Sequence, residues 1–199
     1  MAKKVDHDQR KREISERAIH LFSQVGYDNV SLNMIAASLG VSRTVLYRYF
    51  CSKREVMDAA ITTVTDRIEA ECTRIILGRE RPLEKLRLVC QTVADVMFDN
   101  QQFLIAVFDF VVGRVRTGAG MNESIQRFTE GTRTAIRRLI ASAIDRGEIP
   151  DILVVERIAD AIYAEFESCA MRIVLGTERD SSAARVRFSD VIRAISIWK

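Results

Sequence analysis

Apolar residues recur every three to four positions through almost the whole chain, which is the period of an α-helix. In the segment from Arg10 onward, for example, they fall at Ile14, Ala18, Leu21, Phe22 and Val25. No sustained run alternates apolar and polar residues, and no Asn-Gly or Asp-Gly pair marks a hairpin. The pattern therefore predicts an all-α chain without strands.

Glycines and capping residues divide this pattern into nine predicted helices. Most of the nine glycines follow an apolar periodic segment, and Pro82 stands where the first turn of a helix favours proline. Ser31 and Ser42 are predicted N-caps, and Ser52 with Glu55 has the spacing of a capping box. The predicted helices span residues 10–25, 32–39, 42–49, 52–77, 82–98, 101–116, 122–146, 151–175 and 182–198.

Composition excludes several classes of protein. The 199 residues are 48% hydrophobic and 29% charged, enough for one or two domains with their own core. There are only two histidines, the four cysteines are scattered, and neither a glycine-rich phosphate loop nor a nucleophile elbow is present. We therefore expect no metal site, no cofactor and no enzymatic activity.

The distribution of charged residues argues against a membrane location. The longest stretch without a charged residue covers residues 29–42, which is too short and too polar to span a bilayer. Residues 1–12 are highly charged and lack the apolar region of a secretory signal. We expect a cytoplasmic protein with reduced thiols and no membrane partner.

Positive charge is concentrated in the first quarter of the chain. Residues 1–54 contain ten basic and five acidic residues, whereas residues 55–199 contain twenty basic and twenty-two acidic ones. Such an asymmetry indicates an anion-binding module joined to a different second part. A basic tail that only aids solubility would give the same asymmetry.

Residues 31–50, SLNMIAASLGVSRTVLYRYF, contain two short predicted helices separated by Leu39, Gly40 and Val41. This is a helix-turn-helix pattern, in which the second helix is presented to a DNA major groove. Arginine can bind guanine, threonine a base edge, and tyrosine or lysine a phosphate oxygen. A helical corner with a solvated basic face is the alternative interpretation.

The segment from Ile14 to Val56 resembles the DNA-binding domain of the TetR family of bacterial transcriptional regulators. The resemblance depends on Ala18, Leu21-Phe22, Gly26-Tyr27, Ile35-Ala36, Leu39-Gly40-Val41-Ser42, Leu46-Tyr47-Arg48-Tyr49-Phe50 and Ser52-Lys53. It implies a three-helix DNA-binding domain over residues 1–52. It also implies a larger helical domain over residues 53–199 that binds an effector and forms a homodimer.

Carried over by position, the resemblance implies two sets of DNA contacts. Base contacts are expected from Asn33, Arg43, Thr44 and Arg48. Phosphate contacts are expected from Ser31, Ser42, Tyr47, Tyr49 and Lys53. Val41, Leu46 and Phe50 are expected in the core. Residues 3–12 form either a flexible arm that adds DNA contacts or a merely solvated tail.

Large adaptable side chains are concentrated after residue 89 and are expected to line an effector pocket. The predicted lining is Val93, Met97, Phe98, Phe103, Leu104, Val107, Phe108, Phe128, Tyr163 and Phe166. A set of aromatic and methionine residues at helical spacing is also typical of ordinary core. Both interpretations remain open on the sequence alone.

The last two predicted helices carry apolar stripes that could pack against a second copy in a four-helix bundle. The predicted dimer residues are Ile158, Ile162, Ile173, Val191, Ile192 and Ile195. A dimer is also expected because operators read by helix-turn-helix proteins are usually two-fold related.

The favoured function is a regulator, most simply a repressor, that binds double-stranded DNA as a homodimer and is released by a small apolar effector. A DNA-binding regulator controlled by a protein partner or by its abundance is the first alternative. A helical enzyme that carries a basic helix-turn-helix is the second, and the scarcity of histidines argues against it.

Overall fold

The computed structural model describes residues 2–151 and 154–197, with side chains over residues 7–151 and 154–196. Within these ranges the chain forms nine α-helices and no strand, which confirms the predicted all-α class. The helices are α1 (Ala2–Asn29), α2 (Leu32–Ser38), α3 (Arg43–Tyr47), α4 (Lys53–Ile76), α5 (Pro82–Asp99), α6 (Gln101–Arg116), α7 (Glu123–Asp145), α8 (Val155–Val174) and α9 (Ser182–Ile197).

Most helix bounds follow the predicted ones, whereas both ends of α1 and the start of α8 differ, and α1 ends at Asn29 rather than at Val25. Helix α1 begins at Ala2 rather than at Arg10, and α8 begins at Val155 rather than at Asp151. Gly26 was the predicted end of the first helix, and its φ of 77° and ψ of 163° do interrupt the helical backbone before the last residues of α1. Trp198, the predicted end of the last helix, and residues 152 and 153 lie outside the described residues.

None of the described helices is by itself both long enough and apolar enough to cross a membrane. The consecutive helices α5 and α6 meet that criterion only when the two are taken together as a bent pair.

The chain divides into two compact units that interrupt one another along the sequence. The N-terminal unit contains residues up to 67 together with 102–126, and the C-terminal unit contains residues 68–101 and those from 127 onward. These packing units differ from the predicted domains 1–52 and 53–199, because most of α4 and nearly all of α6 pack with the N-terminal helices. The predicted functional boundary at residue 52 stays a prediction.

The core of the N-terminal unit is built from all of its helices. It combines mostly aliphatic residues of α1 to α4, together with the ring of Phe22, with two aromatic residues of α6, Phe103 and Phe110. The ring of Phe110 lies 4.9 Å from that of Tyr27, which in turn lies 5.8 Å from Phe22. Phe22 and Leu46 are completely buried, and Phe50 is nearly so, while Val41 is half-buried at the edge of this cluster.

The C-terminal unit is centred on the packing of α5, α8 and α9. The rings of Phe166 on α8 and Phe188 on α9 lie 4.7 Å apart in its core. At the edge, Arg187 on α9 forms ion pairs with Glu165 on α8 and with Glu178 in the connection between the two helices. These contacts account for the buried stripes on α8 and α9, which pack within one chain.

The beginning of α5 is capped from a distant part of the sequence. Its N-cap residue, Arg81, makes no side-chain cap hydrogen bond. The carboxylate of Glu148, which follows α7, accepts a hydrogen bond from the backbone N–H of Leu83 at 3.1 Å and one from Nε of Arg81 at 3.3 Å. The side chain of Glu148 is only 4% exposed, so it satisfies a helix-end donor in a buried place.

Replacing Glu148 with alanine is expected to lower the free energy of unfolding by about 1–3 kcal/mol, because it leaves the N–H of Leu83 without an acceptor. Denaturant unfolding followed by circular dichroism measures the change. Glu123→Ala is the matched control, because Glu123 is an exposed acid in the first turn of α7. Equal stability of the two variants would contradict the capping role.

Candidate nucleic-acid interface

The helix-turn-helix is fixed at both helix starts by serine side chains, as predicted. Oγ of Ser31 accepts a hydrogen bond from the backbone N–H of Met34 at 3.2 Å at the start of α2. Oγ of Ser42 accepts one from Val45 at 3.3 Å at the start of α3. Between them, Gly40 has a φ of 64°, a left-handed conformation that makes the turn possible without a Cβ penalty.

Burial on one side of the two helices determines which side chains face outward. Ile35 and Leu46 have no exposed surface, and Ala36 is almost completely buried. At the other end of α2, Nε of Arg17 on α1 donates to the carbonyl of Ser38 at 3.2 Å. The predicted base-contact and phosphate residues that are exposed are Ser31, Asn33, Ser42, Arg43, Thr44, Tyr47 and Arg48.

Arg43 and Tyr47 form a pair on the exposed face of α3. Nη2 of Arg43 donates to the hydroxyl of Tyr47 at 3.1 Å, and the guanidinium carbon lies 5.5 Å from the centre of the Tyr47 ring. The four-residue spacing places both on the same side of the helix. The pair restrains the guanidinium and leaves further N–H donors of Arg43 available for a base or a phosphate.

Tyr49 is half-buried rather than fully exposed, and the start of α1 packs beside it. The ring of His7 lies 4.9 Å from the ring of Tyr49, and Nζ of Lys11 lies 5.5 Å from the centre of the Phe50 ring. The backbone of residues 3–12 is helical, which contradicts the flexible arm and leaves the solvated segment as the other alternative. The physical reason is that α1 continues through this segment and packs against the residues after α3.

Lys53 has a structural role that was not predicted from the sequence. Its ammonium donates to the carbonyl oxygens of Tyr27 at 2.8 Å and Asp28 at 3.1 Å, at the end of α1. The same ammonium lies 4.3 Å from the centre of the Tyr27 ring. The predicted phosphate contact of Lys53 therefore has to share an ammonium that already joins α4 to α1.

Tyr27 itself is held in a partly apolar place. Burial raises the pKa of its hydroxyl above the ordinary value, and the nearby Arg54 partly opposes that increase. The phenol therefore stays neutral over an even wider range of pH than an ordinary tyrosine.

The predicted capping box at the start of α4 is present with one shifted partner. Oγ of Ser52 accepts a hydrogen bond from the N–H of Glu55 at 3.2 Å. The carboxylate of Glu55 accepts from the N–H of Cys51 at 2.9 Å, one residue before the predicted partner. The box closes the turn that follows α3 and leaves the Cys51 side chain exposed.

The residues predicted to line an effector pocket are divided between the two units, and their role in binding an effector stays a prediction. Phe103, Leu104, Val107 and Phe108 lie in the N-terminal unit, whereas the other six predicted residues lie in the C-terminal unit. Phe98 and Phe166 are buried in the core of the C-terminal unit, and Phe103 in that of the N-terminal unit. The burial of each of these rings within the core of its own unit is what the ordinary-core interpretation predicts.

A cavity of about 660 Å³ does occur in the C-terminal unit, at a place that the sequence did not indicate. We call it the α7 cavity. None of the ten predicted pocket residues lines it. Its lining is Ile76, Glu80, Pro82, Lys85, Arg127, Glu130, Gly131, Thr134, Ala135, Arg138, Leu139, Ser142 and Arg146.

Most of the residues predicted for a dimer interface lie inside one chain. Ile162 has no exposed surface, and Ile158, Ile173 and Ile192 are at most 8% exposed. Val191 and Ile195 are half-buried. The four isoleucines are buried where α8 and α9 pack within the C-terminal unit, so they offer little surface to a second copy, and the dimer interface stays a prediction.

Comparison with known proteins identifies the class to which this interface belongs. Residues 14–60 match the sequence profile described as bacterial regulatory proteins, tetR family. The HTH-type transcriptional regulator HbdR of Aromatoleum sp. is 33% identical over 79 residues, which cover 40% of this chain and 34% of HbdR. The HTH-type transcriptional regulator PksA of Bacillus subtilis is 31% identical over 90 residues, 43% of this chain and 44% of PksA. The chain thus matches less than half the length of either relative.

A comparison of folds finds similar solved structures. A TetR transcription regulator of known structure from Haloarcula marismortui superimposes with a TM-score of 0.83 over 94% of this chain and 98% of its own, at 16% identity. A likeness at this identity concerns the fold alone. The match over residues 14–60 confirms the predicted resemblance of the helix-turn-helix segment to the TetR family.

Replacing Lys53 with methionine is expected to lower the free energy of unfolding by about 1–3 kcal/mol, because two carbonyl groups at the end of α1 lose a charged donor. Chemical denaturation provides the measurement. Arg116→Met, an exposed change on α6, is the control and should leave stability within about 0.5 kcal/mol. If Lys53→Met has no effect on stability, the ammonium does not hold α1 in solution.

Proposed function

We propose that this protein is a transcriptional regulator that reads a two-fold symmetric operator with α3. The observation that carries the proposal is the exposed row of Arg43, Thr44, Tyr47 and Arg48 on a helix whose other side is anchored by the buried Leu46. A rigid short helix with forked donors on its free face has the chemistry needed for base edges in a major groove.

Charge supports DNA as the ligand of this face. Residues 1–54 have twice as many basic as acidic residues, whereas the remainder of the chain is slightly acidic. Contacts between basic side chains and phosphates release counterions from DNA, so that operator affinity should fall steeply with salt concentration. HbdR and PksA, named above as transcriptional regulators, support the same function.

The protein acts as a homodimer in this proposal, through faces of α8 and α9 that the single chain leaves exposed. The exposed face of α8 carries Ala161, Ala164, Met171 and Leu175, where Met171 is 46% and Leu175 is 66% exposed. The exposed face of α9 carries Ala183, Val186 and Ala194, where Val186 is 58% exposed. Small and apolar residues at helical spacing on two adjacent helices suit packing against a second copy.

Repression relieved by a small effector is the regulatory mode we propose. The α7 cavity has a volume within the usual range of roughly 300–1,000 Å³ for small-molecule sites. This volume is an argument for control by a small effector. The effector would act by binding the DNA-free arrangement better than the DNA-bound one. A regulator controlled by a protein partner or by abundance is the alternative, and an effector that releases DNA would exclude it.

Arg43→Ala and Arg48→Ala are each expected to weaken operator binding by about 1–3 kcal/mol and to relax the preference for the base that each contacts. The operator is obtained by selection from random duplexes, and affinity is measured by fluorescence anisotropy. Arg116→Ala, which removes an exposed arginine from α6, is the control and should leave base preference unchanged. If Arg43→Ala binds the selected operator as tightly as the parent, the proposed reading face is wrong.

Met171→Asp together with Val186→Asp is expected to produce folded monomers that no longer bind the operator, because an unpaired charge in an interface costs several kcal/mol. Light scattering gives the mass and circular dichroism the helix content. The paired control, Val112→Asp with Val115→Asp, introduces the same charges on exposed positions of α6. A parent protein that is monomeric at micromolar concentration would exclude the dimer.

A further inference from the structure

The α7 cavity is lined by one continuous face of α7 and by the chain that joins α4 to α5. The α7 residues on this face lie between residues 127 and 146 and recur with the three-to-four-residue period of one side of a helix, as single residues or adjacent pairs. Opposite them lie Ile76, at the end of α4, and Glu80, Pro82 and Lys85. All these residues belong to the C-terminal unit.

A glycine in the middle of α7, Gly131, lies in the wall of the cavity. A Cβ atom built on Gly131 would meet no other atom within 4 Å, so a side chain there would extend into free space. Glycine in a helix interior costs about 1 kcal/mol relative to alanine. A large side chain at this position would have open space to occupy next to the other lining residues.

The lining combines an apolar floor with an excess of positive charge. Ile76, Pro82, Ala135 and Leu139 provide the apolar surface. Four basic residues face only two acidic ones, Glu80 and Glu130. The lining thus suits a ligand that is mostly apolar and has a negative charge.

Two of the four basic residues are available for such a charge. The ammonium of Lys85 already donates to the carbonyl of Ile76 at 2.7 Å, and Arg127 also has an interaction within the chain. Arg138 and Arg146 are exposed, and neither guanidinium has a hydrogen bond or an ion pair with the residues that the structure describes. Each therefore keeps the forked set of donors that matches a carboxylate.

We propose that the α7 cavity binds an amphipathic organic acid, with its carboxylate on Arg138 and Arg146 and its apolar body on Ile76, Pro82 and Leu139. Glu80 and Glu130 disfavour ligands with several negative charges, so a single carboxylate fits the lining better than a polyphosphate. The binding site is inferred from the lining residues alone. The statement that its ligand is the effector rests on the proposed function.

Binding is tested by isothermal titration calorimetry with decanoate, decanol and decylamine, which share an apolar chain and differ in the charge of the head. The proposal expects saturable binding of decanoate, weaker binding of decanol and no binding of decylamine. Equal binding of decylamine and decanoate, or the absence of decanoate binding, would overturn the proposal.

Two pairs of variants assign the binding to this cavity. Gly131→Phe fills the cavity and should abolish decanoate binding, whereas Gly113→Phe, a change in α6 with equally free space, should not affect it. Arg138→Gln with Arg146→Gln should weaken decanoate binding by tenfold or more, since charge-assisted hydrogen bonds are lost. The same two changes should leave the weaker decanol binding nearly unaltered. A general loss of structure would weaken the binding of decanol as well.

Replacing glycine with phenylalanine improves helix propensity, so both glycine variants are expected to fold. Circular dichroism checks this. Unchanged decanoate affinity in a folded Gly131→Phe would place the ligand elsewhere and overturn the assignment.

An operator titration separates this proposal from the proposed function. A parent that binds the operator but not decanoate overturns only the ligand assignment. A parent that binds decanoate in this cavity without releasing the operator supports the site and overturns the effector-controlled regulator.

Discussion

A helix of five residues cannot be stable by itself, and the whole DNA-binding surface depends on how α3 is held. Nucleation of an isolated helix is unfavourable, and even good helix formers need well over ten residues in water. Helix α3 exists because Leu46 is completely buried among residues of α1, α2 and α4, and because Ser42 satisfies its first turn. The same burial orients Arg43 and Arg48 outward, so recognition and stability depend on the same side chain.

Lys53 extends this dependence to the next helix. Its ammonium joins the start of α4 to the carbonyl groups at the end of α1, just after the backbone leaves the helical conformation at Gly26. The carbonyl of Tyr27 also accepts from the backbone N–H of Val30 at 3.3 Å, so the ammonium adds a charged donor at a helix end where few donors are available. A residue for which the family resemblance implies a phosphate contact thus also maintains the geometry on which the neighbouring contacts depend.

Features that act over a few residues could be predicted from the sequence. The caps at Ser31 and Ser42 and the turn at Gly40 are of this kind, since a cap bonds to a donor only three positions away. The cap of α5 could not be predicted, because Glu148 and Leu83 lie 65 positions apart and meet only after folding.

Which face of a helix the single chain buries could not be predicted for a related reason. Helix α8 is apolar on two faces, with Ile162 and Phe166 directed into the core and Met171 and Leu175 exposed. Periodicity identifies both faces without showing which one the chain buries. The aromatic residues around position 100 likewise belong to two different cores, and only the folded chain separates Phe98 from Phe103.

Helices α4 and α7 each have residues in both compact units. An effector that releases DNA must also bind the two arrangements of the protein with different affinities. Helix α4 begins in the N-terminal unit with Lys53 and ends in the C-terminal unit with Ile76, which lines the α7 cavity. Helix α7 also crosses from one unit to the other near residue 126. However tightly it binds, a ligand changes operator affinity only by the difference between its affinities for the two arrangements. By linkage, operator binding must weaken the affinity for a releasing ligand by the same factor by which the ligand weakens operator binding. If the ligand affinity of the cavity is the same with and without operator, the cavity is a binding site without a regulatory role.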